Sequence, residues 1–150
     1  MDFEIVEEPC GFELVGRSAP VVGDAFASVG MRLMEEVFAN IAVAGAESTG
    51  IIHWVYLPEG QMFVGLELVP GSNFPSDLEP LAFEIPRSLR HLHVGPYHDL
   101  PAKWKALEAE LEALGESSTT PSLEVYGHHS EDPARQETMI IIALEPSRGD

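Results

Sequence analysis

The sequence predicts an α+β fold in which a strand-helix-strand-strand unit occurs twice, with pseudo-twofold symmetry, an antiparallel sheet and two main helices. Two stretches repeat apolar residues at helical spacing, and each is followed by two runs that resemble strands. Short identities also recur in the same order. Phe3-Glu4-Ile5 returns as Phe83-Glu84-Ile85, and Val15-Gly16 returns as Val94-Gly95. We expect one domain over residues 1–150, with halves at approximately 1–70 and 78–146.

In the first half, residues 3–6 and 12–16 alternate as strands do. The apolar stripe that follows predicts a helix between Asp24, a candidate N-cap, and Gly45, a candidate exit. Residues 51–56 and 61–69, separated by a Pro-Glu-Gly turn, predict a hairpin.

The second half begins after residues 70–77, the densest cluster of helix and strand breakers. Residues 81–85 and 89–94 are strand candidates. The second helix is predicted between Asp99, a candidate cap followed by Pro101, and Gly115. A strand containing Glu124 follows, and the apolar run 138–144 is typical of a central strand.

The charge balance disfavours some partners. The chain has 25 acidic and 8 basic residues, a formal net charge of −17, which opposes direct binding to nucleic acid or to an anionic membrane. The single Cys10 cannot form an internal disulfide, and no signal peptide or apolar span is visible. We therefore expect a cytoplasmic protein.

Glu124 is a carboxylate within an otherwise half-buried strand, where it shares a face with Tyr126. The repeat aligns Trp54-Val55-Tyr56 with Glu124-Val125-Tyr126. If the halves pair about an axis, Trp54 and Tyr56 oppose Glu124 and Tyr126. Aromatic walls around an acid suit an apolar organic cation, since each cation–π contact contributes about 0.5–2 kcal/mol.

One combination of motifs resembles a known family. It comprises Arg90-His91-Leu92-His93-Val94-Gly95-Pro96-Tyr97, then Leu100, Trp104 and Leu107, then Leu123-Glu124-Val125-Tyr126. This resembles the GyrI-like small-molecule-binding family, the effector-binding domain of bacterial multidrug-sensing transcription regulators. The match covers the second half, whereas Gly16-Arg17-Ser18-Ala19 lacks the Pro-Tyr pair.

The resemblance implies a duplicated strand-helix-strand-strand fold and a pocket glutamate, Glu124, that meets cationic aromatic ligands. The chain has no room for a helix-turn-helix beside the repeat, so we expect a stand-alone member that does not bind DNA directly. A packing role is the alternative for Trp54, Trp104, Tyr56 and Tyr126, and an exposed strand carboxylate is the alternative for Glu124. Tyr97 lies at a strand-to-helix turn, where it could close the pocket. The expected ligand-binding residues are Glu124, Trp54, Tyr126, Tyr56, Tyr97 and Trp104.

Three functions stay open. The first is binding of an apolar organic molecule, either cationic or neutral, without any cofactor. The resemblance implies two others: hydrolysis of electrophilic cyclopropane-type toxins with Glu124 as the general base, and modulation of a protein partner such as DNA gyrase. Metal binding is not expected, because the spacing of the histidines fits no zinc signature. Those histidines are His91, His93, His98, His128 and His129.

Overall fold

The computed structural model describes residues 2–127 and 131–146, which fold as two compact units. The Trp54 unit is Gly11–Glu84, and the Glu124 unit combines Met1–Cys10 with Ile85–Asp150. The strands and helices, in chain order, are β1 (Glu4–Val6), β2 (Cys10–Pro20), α1 (Phe26–Ala44), β3 (Ser48–Leu57), β4 (Gln61–Leu68), β5 (Glu79–Ile85), β6 (Ser88–Val94), α2 (Leu100–Ala113), β7 (Ser118–Tyr126) and β8 (Glu137–Leu144).

Each unit contains four strands and one helix in the same arrangement, which confirms the duplicated α+β fold. The strand order is β1-β6-β8-β7 in the Glu124 unit and β5-β2-β4-β3 in the Trp54 unit. Both units therefore place the strand before the helix second, and the hairpin after the helix third and fourth. In the Glu124 unit all neighbouring strands pair antiparallel.

The outermost strand of each unit comes from an unexpected part of the chain. β1 precedes β2 in sequence, yet it pairs antiparallel with β6, where Ile5 lies opposite Leu89. Similarly, β5 leads directly into β6 but lies beside β2. Each copy of the repeat thus receives its edge strand from the segment that precedes the other copy.

A shared irregularity supports the duplication. Between Ser48 and Ile52, β3 advances four residues while its partner β4 advances two, from Leu68 to Leu66. The corresponding stretch of β7 runs from Thr119 to Leu123 and shifts register against β8 in the same manner. Extra residues in one strand bend it locally, so both units carry the same distortion at the same strand.

The helix ends were only partly predicted. Gly45 ends α1 in the left-handed conformation, with a φ of 63°, as expected of a glycine in this position. The prediction of Asp24 as an N-cap is wrong, because α1 begins at Phe26 and Ala25 occupies the capping position without a side-chain bond. The backbone turn from Val22 to Ala25 starts this helix instead.

The second helix begins in a similar way. A 3-10 turn, Tyr97–Asp99, leads directly into α2, so Asp99 has the capping position but its side chain makes no capping bond. Pro101 lies in the first turn of α2, as predicted. Beyond the helix, Gly115 has a φ of 74° and its N–H donates to the carbonyl of Glu112.

The core of the Glu124 unit lies between its sheet and α2. The apolar face of α2 packs on the helix-facing residues of β6 and β8. Among residues 2–127 and 131–146, neither helix has the length and hydrophobicity of a membrane span. The buried cluster consists of Leu89, Leu100, Leu107, Leu111, Ile140, Ile142 and Leu144. This packing determines which side chains of the sheet face α2.

Arg87, immediately before β6, joins four segments of this unit. Its guanidinium donates to the carboxylates of Glu7 and Glu116 at 2.8–3.0 Å and to the carbonyl of Glu145 at 2.9 Å. Hydrogen bonding to Arg87 lowers the pKa of both Glu7 and Glu116. The sequence pattern did not predict this ion-pair cluster, because its members lie far apart along the chain.

Candidate functional site

The strand register of the Glu124 unit brings polar residues together beneath the first half of α2. Glu124 of β7 and His91 of β6 both lie opposite Ile140 of β8. Directly paired residues point to the same face of a sheet, so Glu124 shares the helix-facing side with the buried core. The acid therefore lies inside the fold and faces α2. Strand alternation predicted that it shares a face with Tyr126 and left open whether that face is solvated.

Two aromatic side chains hold the Glu124 carboxylate. The indole Nε1 of Trp104, on α2, donates to Oε2 at 2.6 Å, and the hydroxyl of Tyr126 donates to Oε1 at 2.7 Å. Glu124 is only 3% exposed. Each carboxylate oxygen thus accepts a short hydrogen bond from its own donor, and the two contacts fix the orientation of the group.

Tyr97 adds a third aromatic ring to the group around Glu124, through its contact with Tyr126. The rings of Tyr97 and Tyr126 meet edge to face, with centroids 5.4 Å apart and planes at 84°. Burial raises the pKa of the Tyr97 phenol above its usual value. The rings of Tyr97, Tyr126 and Trp104 also pack against the core cluster. Four of the predicted site residues are thus in one contiguous group around Glu124.

The two remaining predicted site residues belong to the Trp54 unit. Trp54 is 8% exposed and packs against Gly30 of α1, where a Cβ would lie 2.3 Å from the indole ring. Tyr56 meets Phe26 edge to face at a centroid distance of 5.4 Å. Both side chains therefore pack beside their own helix. Their role in a site with Glu124 stays a prediction.

Two open clefts flank α2, each about 540 Å³ in volume. One lies toward β6 and is lined in part by His91, His93, Asp99 and Lys103. The other lies at the end of α2 and is lined in part by Glu112 and Glu116. Neither lining includes Glu124, which is consistent with the near-complete burial of its carboxylate.

The buried histidines use backbone acceptors. His91 Nδ1 is hydrogen-bonded to the carbonyl of Asp2, and His93 Nε2 to the carbonyl of Pro96 at 3.1 Å. In residues 2–127 and 131–146, no three His, Cys, Asp or Glu side chains are placed to hold a metal ion. His128 and His129 lie outside the described residues.

A further group in the Trp54 unit was not predicted. Phe12 stacks on Phe83 with ring centroids 5.1 Å apart and meets His53 edge-on at 6.0 Å. Burial lowers the pKa of His53, which favours the neutral imidazole. His53 alternates with Trp54 along β3, and this alternation was the available signal that it faces away from α1.

The chain is similar to several solved structures. No protein-family model and no curated protein sequence matches the chain. The C-terminal domain of EcmrR is similar, with a TM-score of 0.71 and 16% identity over 97% of each chain. SAV2435 bound to tetraphenylphosphonium has a TM-score of 0.69 and 15% identity, over 97% of this chain and 94% of the other.

The chain shares the fold of these two structures over nearly its whole length. Its duplicated strand-helix-strand-strand arrangement is the one that the sequence resemblance implied. A hydrolase from Listeria innocua is also similar, with a TM-score of 0.57 and 10% identity, over 95% of this chain and 91% of the other. At such identities the similarity establishes the fold alone.

Proposed function

We propose that the protein binds lipophilic aromatic cations, with Glu124 as the countercharge and Trp104, Tyr126 and Tyr97 as aromatic contacts. The observation that carries this proposal is a carboxylate, 3% exposed, whose oxygens accept hydrogen bonds from an indole and a phenol. An acid bordered by aromatic rings combines both attractions that an organic cation uses.

The buried position makes the charge effective. Two unit charges 4 Å apart attract by about 4 kcal/mol at an effective dielectric constant near 20, against about 1 kcal/mol in water. Because Trp104 and Tyr126 already orient the carboxylate, binding requires little further ordering of the acid. Phenyl groups of the ligand would in turn contact the rings of Tyr97 and Tyr126.

A structural neighbour supports this class of ligand. Tetraphenylphosphonium, bound by SAV2435, is a cation whose charge lies within four phenyl groups. The net charge of −17 also favours cations over anions near this protein, although scattered surface acid contributes little specificity. Glu124 would provide the specificity because it is buried.

The decisive comparison uses a cation and a neutral molecule of similar shape. Methyltriphenylphosphonium and triphenylphosphine oxide share three phenyl groups and differ in charge. We expect Glu124→Gln to weaken the cation by roughly tenfold to a hundredfold, since hydrogen-bonded charge interactions contribute about 1.5–3 kcal/mol. The neutral oxide should change by less than about threefold. Isothermal titration calorimetry measures both.

Glu110→Gln is the matched control, because it removes the same charge from an exposed position of α2. It should leave both affinities unchanged. Equal losses for the two compounds in Glu124→Gln would contradict the proposed charge recognition. So would an equal loss of cation affinity in the two variants, because net charge alone would then explain binding.

Hydrolysis is the second candidate, favoured by the contact between Tyr126 and Glu124 and by the similar hydrolase from Listeria innocua. Glu124 would remove a proton from water as the water oxygen bonds to an electrophilic cyclopropane carbon. The carbon–carbon bond of the ring would break, and the ring carbon that keeps its electron pair would take up the proton from Glu124. Incubation of such a compound in H₂¹⁸O should give a labelled product with the wild type and none with Glu124→Gln. Saturable binding without a labelled product would leave the binding function alone.

A further inference from the structure

Thr138 is an exception within an apolar strand. It begins the run Thr138-Met139-Ile140-Ile141-Ile142 of β8 and is 0% exposed. Its Oγ1 has no hydrogen-bond partner within residues 2–127 and 131–146. Burying a hydroxyl without a partner is unfavourable, whereas a valine of the same shape would avoid this cost. The Thr138 hydroxyl therefore contributes no hydrogen bond to the described fold.

The register places this hydroxyl next to the proposed ligand site. Thr138 lies two residues before Ile140, so it faces α2 as Ile140 does. Its direct neighbours are Tyr126 on β7 and His93 on β6. Glu124, which is paired with Ile140, is the diagonal neighbour of Thr138, and the Cα atoms of such neighbours are about 7–8 Å apart.

The groups beside Thr138 have other partners. The Tyr126 hydroxyl donates a hydrogen bond to Glu124, and His93 Nε2 is hydrogen-bonded to the carbonyl of Pro96. His93, Thr138 and Tyr126 are thus neighbours across β6, β8 and β7. Hydrogen bonds hold the two outer side chains, whereas the Thr138 hydroxyl between them has no partner among the described residues. The Glu124 carboxylate lies on the same face, in the pair that Glu124 forms with Ile140.

We propose that the Thr138 hydroxyl is a second recognition point, which hydrogen-bonds a polar atom of the cation held at Glu124. This inference rests on the proposed function and makes the ligand class narrower. The preferred ligand is an aromatic cation that carries a hydroxyl or carbonyl on one ring, several ångströms from its charge. In this proposal the ring contacts the side chain of Ile140, which pairs with Glu124 and lies two residues from Thr138, and Thr138 selects the polar substituent.

Two cations that differ by one oxygen test the proposal. Tetraphenylphosphonium has no hydrogen-bonding atom, whereas (4-hydroxyphenyl)triphenylphosphonium adds a single hydroxyl. We expect the wild type to bind the hydroxylated cation about tenfold more tightly, the upper range for one hydrogen bond. Thr138→Val should remove this preference without changing the affinity for tetraphenylphosphonium. Thr138→Ser, which keeps the hydroxyl, should retain the preference.

Thermal unfolding without ligand provides an independent measurement. Thr138→Val should raise the Tm, because it removes an unpaired buried hydroxyl at nearly constant volume. A lower Tm would show that the hydroxyl already has a partner in the ligand-free protein, such as a buried water, and would overturn the inference.

The binding results separate this inference from the proposed function. If the wild type binds both cations equally, or if Thr138→Val keeps the preference, only the role of Thr138 is wrong. If the wild type binds neither cation, the proposed function is wrong and the inference fails with it.

Discussion

Replacing Gly30 with alanine should destabilise the protein, although the same change normally stabilises a helix. Gly30 is a buried residue within α1, and alanine is favoured over glycine in helices by about 1 kcal/mol. A Cβ at Gly30, however, would lie 2.3, 2.5 and 2.7 Å from three atoms of the Trp54 indole. Carbon atoms in contact prefer a separation of about 3.5–4.0 Å.

The size of the effect follows from these two opposing contributions. Inserting a methyl group into a well-packed core costs about 1–3 kcal/mol, and this overlap with a ring that is 8% exposed belongs at the upper end. Subtracting the helix gain leaves a net loss of about 2 kcal/mol. For a protein of this size the Tm should fall by roughly 4–8 °C.

Urea unfolding followed by circular dichroism measures the loss of stability, and a second variant tests its cause. Trp54→Phe removes much of the indole, so Gly30→Ala should cost far less in that background than in the wild type. The interaction energy of the double-mutant cycle should approach the free-energy cost of the overlap between the alanine Cβ and the indole. If Gly30→Ala is as stable as the wild type or more stable, Trp54 does not pack on α1 as described.

Two more substitutions test contacts within the Glu124 unit. Trp104→Phe keeps an aromatic ring but removes the donor to Glu124, so calorimetric or urea unfolding should show a loss of about 1.5–3 kcal/mol. The loss should shrink in a Glu124→Gln background, and an undiminished loss would assign it to packing. Arg87→Met should flatten the acid side of the stability profile measured by urea unfolding from pH 7 to pH 3. Arg87 lowers the carboxyl pKa of Glu7 and Glu116, so in the wild type this stabilisation is present above the ordinary carboxyl range and is lost as pH falls through the lowered values. A variant whose profile keeps the wild-type slope would contradict this role.

The local elements followed from sequence spacing. The apolar stripe of α1 and the alternation of β3 and β7 depend on side chains only a few residues apart, so the pattern contains the information needed to predict them. The same alternation correctly placed Glu124 and Tyr126 on one face. Helix starts were harder to predict, because Asp24 has a suitable side chain for capping but a backbone turn begins α1 instead.

The sequence by itself determined that the fold is a duplicated strand-helix-strand-strand unit, and it singled out Glu124 as an acid in an apolar setting. Only the tertiary structure decided which donors reach that acid, since Trp104 lies on a helix and could equally have packed without an indole hydrogen bond. It also decided that β1 pairs with β6, and that Thr138 is buried beside Tyr126. These contacts join residues far apart in the chain, and their energy depends on register and packing direction, which no local pattern of residues contains.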